Sequence, residues 1–145
     1  MTTLVRTYVV NGHDFSRAGE SSAQIKALLK VLGLDPDIIR RASISAYEAE
    51  INMVIHANGG IITVTVCPEW IDMEFSDTGP GIPDVELAMQ EGWSTAPRDV
   101  LALGFGAGMG LPNIHKYSDE FDLETTVGAG TTLKIRFYTR KAVVE

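Results

Sequence analysis

The chain has 145 residues, 45% of them hydrophobic, with 12 Lys plus Arg against 19 Asp plus Glu. The resulting charge of -7 argues against nucleic acid as a main partner, since binding a phosphate backbone rests on Lys and Arg. One cysteine closes no disulfide, no Cys pair or His cluster points to zinc, and no apolar run is long enough to cross a bilayer. The first twenty residues do not read as a secretion signal, so the expectation is one soluble domain over residues 1–145 in the cytoplasm, with Cys67 a small core hydrophobe of a reducing compartment.

Residues 3 to 10, TLVRTYVV, are β-branched and aromatic and predict a first strand. After Ser21 and Ser22, the residues Ile25, Leu28, Leu29 and Leu32 follow helical spacing, and Gly33 stops that helix. A second helix is marked by Asp35 as N-cap, Pro36 at the first helical position, and Asn58-Gly59-Gly60 at its end. Strands follow at 61 to 67 and 70 to 77. Residues 78 to 111 then break the regularity with Pro80, Pro83, Pro97 and seven glycines, a short helix from Val85 to Gln90 lying inside them. A loop this long in a compact domain is functional or disordered. A helix from about Gly110 to Ser118 and strands at 120 to 126 and 131 to 139 complete the chain. Since three strand connections look like hairpins or short turns, the prediction is an α/β two-layer sandwich. Its sheet is mixed but mostly antiparallel, with helices on one face.

Three features carry chemistry. Asp77 follows Ile71, Met73 and Phe75 in the buried phase of its strand, which requires hydrogen-bond donors for its carboxylate; alternatively the strand ends at Ser76 and Asp77 opens a turn. Asp77-Thr78-Gly79-Pro80-Gly81 and Gly104-Phe105-Gly106-Ala107-Gly108-Met109-Gly110-Leu111 are glycine stretches, the second leading into a helix. Glycine lets backbone N–H groups approach a ligand, and a helix N-terminus favours an anion; the bland alternative is a flexible loop. No G-K-[ST] makes the second stretch a P-loop. On the second helix Glu48, Asn52 and His56 fall at i, i+4 and i+8 on one face, offering a base and a neutral oxygen ligand for Mg²⁺, or plain solvated surface.

Taken in order, Glu48-x-x-x-Asn52-x-x-x-His56, Asp77-x-Gly79-x-Gly81, Gly106-x-Gly108-x-Gly110-Leu111 and Gly130-Thr131 resemble the N, G1 and G2 boxes of the histidine-kinase-like ATPase superfamily. Size, the compact segment Trp93 to Arg98 and the stretch from Gly110 to Thr132 are most similar to small bacterial serine/threonine kinases that act as anti-sigma factors or partner-switching kinases. The resemblance implies ATP and Mg²⁺ as cofactors. It implies that Asp77 accepts the adenine amino group, that Gly79, Gly81 and Thr131 surround the base, and that Asn52 binds Mg²⁺. It further implies that Gly104, Gly106, Gly108, Met109, Gly110 and Leu111 hold the phosphates, and that Glu48 is the general base toward a substrate hydroxyl. Some relatives carry a basic residue just before the G2 glycines. Here those positions are Val100-Leu101-Ala102-Leu103, leaving Arg98 and then Lys116 as the cations for the phosphates.

The function implied is a protein kinase acting on a serine or threonine of a STAS-domain anti-sigma-factor antagonist. The alternative is a nucleotide-gated module that sequesters a sigma factor or regulates a phosphatase with little transfer, and a homodimer is compatible with either. A two-component histidine kinase needs a dimerising helix pair with a phosphoacceptor histidine, which the residues before Asp35 are too few to hold. Charge bears on the site. Residues 1 to 58 sum to zero, six bases against six acids, so the whole acidic excess follows Asn58. A nucleotide there depends on Mg²⁺ and glycine-loop N–H groups for charge balance.

Overall fold

The structure is a computed structural model that describes residues 3–90 and 110–139. In chain order the elements are β1 (Leu4–Asn11), a 3-10 turn (Phe15–Arg17), α1 (Glu20–Val31), α2 (Pro36–His56), β2 (Gly59–Val66), β3 (Trp70–Ser76), α3 (Val85–Ala88), α4 (Gly110–Tyr117), β4 (Glu120–Thr126) and β5 (Gly130–Tyr138). The strands form one sheet in the order β1-β2-β3-β5-β4. Every neighbouring pair is antiparallel, so the expected mixed sheet is corrected to an antiparallel one. The two helices between β1 and β2 return the chain antiparallel beside its first strand, whereas β3 and β4, each antiparallel to β5, run in the same direction on either side of it.

Period-two alternation sets the two faces. Ile62, Val64, Val66, Ile71, Met73, Phe75, Leu133, Ile135 and Phe137 are buried beneath the helices with Ile25, Leu29, Ala42, Ala46, Ala49 and Ile114. The other face carries Asp72, Glu74, Lys134, Arg136 and the acids Glu120, Asp122 and Glu124; these three acids are exposed and lie opposite the half-buried Phe121 and Leu123. There Arg136 pairs with both oxygens of Asp72 at 2.6 and 2.9 Å and stacks 4.3 Å from the Trp70 ring. Among the described residues no helix is long and apolar enough to cross a membrane.

α2 organises the helix layer. Its start is the expected one: the Asp35 carboxylate accepts from the N–H of Asp37, and Pro36 occupies the first turn. α1 begins at Glu20, ahead of the Ser21-Ser22 pair that the sequence sets before it, because its cap comes from elsewhere. Gly19 offers no side chain, and Glu50 of α2, only 2% exposed, accepts from the N–H groups of Gly19, Ser21 and Ser22 at 3.0, 3.3 and 2.8 Å. At the far end of α2, Asn58 takes a left-handed conformation with φ 58° and meets His13, also at φ 58°, through a 2.5 Å side-chain hydrogen bond.

Candidate functional site

Two clusters lie along α2. The first is at the end of β3. The strand stops at Ser76, so Asp77 opens a turn, and it also finds the donors that burial demands. Its Oδ1 accepts from the N–H of Gly79 at 2.9 Å and of Thr131 at 3.2 Å, while its own N–H donates to the Thr131 carbonyl at 3.0 Å. Of the two readings kept apart in the sequence, the structure shows the turn; Asp77 is half-buried, and the turn and Thr131 supply donors to its carboxylate. A Cβ at Gly79 would lie 2.7 Å from Ala57 Cα, and one at Gly130 would lie 2.2 Å from the Asp77 carbonyl oxygen, so two glycines let three backbone segments converge. Gly81, at φ 80°, approaches the β4–β5 hairpin in the same way, 2.6 Å from a hypothetical Cβ to the Thr126 carbonyl. Thr131 continues the network: its hydroxyl is 2.9 Å from that of Thr125, which accepts from the N–H of Ile82 at 2.8 Å.

The second cluster is where α2 meets the start of α4. A Cβ at Gly110 would stand 3.0 Å from Asn52 Nδ2, 3.3 Å from Asn52 Oδ1 and 3.4 Å from Glu48 Oε2. The first turn of α4 therefore faces both side chains. Burial pushes the Glu48 carboxyl above its ordinary range, opposed by a hydrogen bond from Asn113, which sits one turn after Gly110. Burial also holds His56 below the usual imidazole value. Leu111 is half-buried and packs on the core. The far end of α4 is tied to α2 as well, with Arg41 Nη1 donating to the Tyr117 carbonyl at 2.8 Å.

Glu48 and Ala57 are nine residues apart, about 14 Å along the α2 axis. The arrangement suits an elongated ligand, with one end at a carboxylate held by main-chain donors and the other, anionic, end at a helix N-terminus. The side-chain oxygen of Asn52 beside the carboxylate of Glu48 also suits a hard cation such as Mg²⁺. Among the described residues no group of three or more His, Cys, Asp or Glu is arranged to hold a metal, so an Mg²⁺ site here would depend on ligand oxygens. Lys116 is exposed in the last turn of α4, its ammonium 5.6 Å from the Tyr117 ring centroid and about 9 Å along the helix from Gly110. Gly110 and Lys116 thus stand at opposite ends of α4. Arg98, Gly104, Gly106, Gly108 and Met109, with the Trp93 to Arg98 segment, lie outside the described residues.

Sequence reasoning missed Asn113, Arg41 and Glu50. Only Asn113 had a local signal, its i+3 spacing from Gly110 on one helix face.

An antiparallel sheet covered on one face by helices, with an Asp-Gly turn at the end of its longest helix and a glycine-led helix beside that same helix, defines an ATP-binding α/β sandwich. The chain belongs to the histidine kinase-like ATPase domain family, whose sequence profile matches residues 16–137. Over 126 residues it is 35% identical to the anti-sigma F factor of Caldanaerobacter subterraneus subsp. tengcongensis, covering 82% of this chain and 85% of that one. It is 31% identical over 134 residues to the anti-sigma F factor of Geobacillus stearothermophilus, covering 87% and 86% of the two chains. A shorter match, 40% identical over 58 residues, links it to the serine/threonine-protein kinase RsbT of Bacillus subtilis and covers 40% and 38%.

Among solved structures, the RsbU and RsbW domains of a Mycobacterium tuberculosis protein share its fold with a TM-score of 0.59 at 17% identity. That match takes in 98% of this chain and 34% of the other, so this chain spans about a third of that structure. The mycobacterial sensor histidine kinase MprB matches with a TM-score of 0.54 at 14% identity over 94% of this chain and 99% of that one, a likeness of fold. Within its family the chain is similar to bacterial anti-sigma F factors and, over a shorter stretch, to a serine/threonine-protein kinase, and membership brings ATP as the nucleotide.

Proposed function

We propose that the chain is a single-domain, Mg²⁺-dependent serine/threonine protein kinase of the partner-switching type, working in the cytoplasm and phosphorylating a hydroxyl on a STAS-domain anti-sigma-factor antagonist. The observation that carries this reading is the convergence of Glu48, Asn52 and Gly110 where α2 meets α4. The names of the relatives support it, since they include anti-sigma F factors and a serine/threonine kinase.

In this reading Asp77 keeps Oδ1 on its two main-chain donors and presents Oδ2 to the adenine amino group. Gly79, Gly81 and Thr131 border the base, and their close packing excludes larger side chains. The first turn of α4, with Gly110 and Leu111, faces the phosphates; the sequence adds Gly104, Gly106, Gly108, Met109 and Arg98 to that end. Asn52 would hold Mg²⁺, which when bound supplies charge neutralisation at the phosphates. Glu48 takes the proton from the attacking hydroxyl, and its raised pKa makes it a stronger base than an ordinary carboxylate. Phosphoryl transfer asks mainly for positioning and charge neutralisation, so this short set is sufficient.

A second reading, a nucleotide-gated module that sequesters a sigma factor or regulates a phosphatase, is favoured by the place of Lys116 at the far end of α4 from Gly110. Incubation with labelled Mg-ATP and the STAS-domain protein encoded nearest in the genome separates the two. Labelling of one serine or threonine, lost with a chelator, is expected of the kinase. Tight nucleotide binding with no labelling at long times would leave the binding module.

A further inference from the structure

We propose that Thr125 is a positioning residue that sets the base specificity of the nucleotide site, by turning the Thr131 hydroxyl proton toward the base. The proposal rests on the reading in which Asp77 takes the adenine amino group and Thr131 borders the base. Thr125 and Thr131 are half-buried cross-strand partners of β4 and β5. They share the phase of Leu123 and Leu133, which face the helices. Their hydroxyl oxygens lie 2.9 Å apart, so one proton lies between them. A threonine side chain is stiff at its first torsion, and what remains to be set is which oxygen gives that proton.

The surroundings of Thr125 decide it. Its Oγ1 accepts from the Ile82 N–H at 2.8 Å, which makes its own O–H a better donor. That proton has two acceptors in reach, Thr131 Oγ1 at 2.9 Å and the Gly130 carbonyl at 3.4 Å, and only the first lies within ordinary O–H···O range. With Thr125 donating to it, Thr131 keeps its own proton to give. The bonds then run head to tail from the Ile82 main chain through Thr125 to Thr131 and on to a ligand. The first donor is fixed, because the Gly128 N–H donates to the Pro80 carbonyl at 2.8 Å and ties the same turn to the β4–β5 hairpin. Adenine suits such a pair. Its amino group donates, and the ring nitrogens on either side of that group, N1 and N7, only accept, so reading this edge takes an acceptor with a donor beside it. Asp77 is the acceptor, and the 3.2 Å bond from the Thr131 N–H to its Oδ1 keeps the Thr131 hydroxyl next to it. A base with a carbonyl in place of the amino group presents no donor to Asp77.

The test measures, by calorimetry on the full chain, the binding of ATP, 1-deaza-ATP, 7-deaza-ATP and purine riboside triphosphate, each with Mg²⁺. Each deaza analogue replaces one ring nitrogen by C–H, and the purine riboside analogue lacks the amino group. Wild type is expected to bind one deaza analogue roughly tenfold more weakly than ATP, since the Thr131 donor is left without its acceptor. Thr125→Val keeps the shape but frees the Thr131 proton to turn, so the preference should shrink to about threefold or less, while Thr125→Ser should retain it. A loss of melting temperature in Thr125→Val, from the orphaned Ile82 N–H, does not move a ratio between two ligands of one protein. Equal binding of ATP and both deaza analogues by wild type overturns the proposal. So does a full preference in Thr125→Val, or a preference lost equally in Thr125→Ser, which would mark Thr125 as a packing residue. Equal binding of ATP and the purine riboside analogue by wild type would instead overturn the reading of Asp77, and the role of Thr125 with it.

Discussion

At the Asp77 end of the site the groups that would face a ligand are fixed by main chain, whereas at the Glu48 end they are fixed by side chains reaching between two helices. Asp77 is pinned by two backbone N–H groups, and glycines at 79 and 130 let neighbouring strands and turns close around it with no side chain between. Glu48 and Asn52 stand against a helix start whose approach depends on Gly110. A backbone clamp is rigid and suits recognition of a flat, constant group. A side-chain clamp between helices can be made and broken, which suits a step that must be switched.

If the ends divide the work in this way, substitutions should separate rate from affinity. Glu48→Gln should have the largest effect, a fall in transfer of at least about 100-fold with ATP binding retained, read by phosphopeptide labelling beside calorimetry. Equal transfer by mutant and wild type would remove Glu48 from the chemistry. Asp77→Asn should do the reverse. The amide oxygen can still accept from Gly79 and Thr131, so the turn survives, but losing a charged acceptor weakens ATP binding roughly 10- to 100-fold while kcat at saturating ATP holds. Unchanged affinity would dissolve the distinction between the ends.

Gly110→Ala sharpens the contrast on a smaller scale. Its Cβ meets only the tips of Asn52 and Glu48, which can shift by a few tenths of an ångström, so a three- to tenfold loss in kcat is the rough expectation, with little loss of ATP affinity. His56 lies on α2 between the ends and carries the smallest effect. Its folded pKa is depressed by burial below the ordinary value of 6.5, so over the window between the two values the unfolded chain binds more protons. Stability is therefore full above the ordinary value and is lost as pH falls toward the folded one. Urea midpoints at about pH 7.5 and about pH 5.5 should differ in that direction, and His56→Gln should reduce the difference.

Much of this could be read from the chain because the signals are local. Asp35-Pro36 starts α2, alternation from Ile71 to Phe75 assigns the faces of β3, and Asp-x-Gly-x-Gly announces a turn around a carboxylate. Glu48 and Asn52 share a helix face by spacing alone. What escaped depends on how elements approach one another. Glu50 looks like another surface acid until α1 arrives with an uncapped start, and Asn113 is an ordinary helix residue until α4 lies across α2. The strictly antiparallel sheet also escaped, since the direction of β5 between β3 and β4 is a matter of topology and not of any one segment.

The cap that Glu50 lends to α1 bears on the order in which the chain can fold. Its three hydrogen bonds span 28 to 31 residues, so the start of α1 is completed by a contact distant in sequence and not by its own turn. The amino-terminal strand and helix therefore gain their last stabilising bonds only when α2 is already in place. In hydrogen exchange, the amides of Gly19, Ser21 and Ser22 should open together with the body of α2, and not fray as a helix beginning ordinarily does.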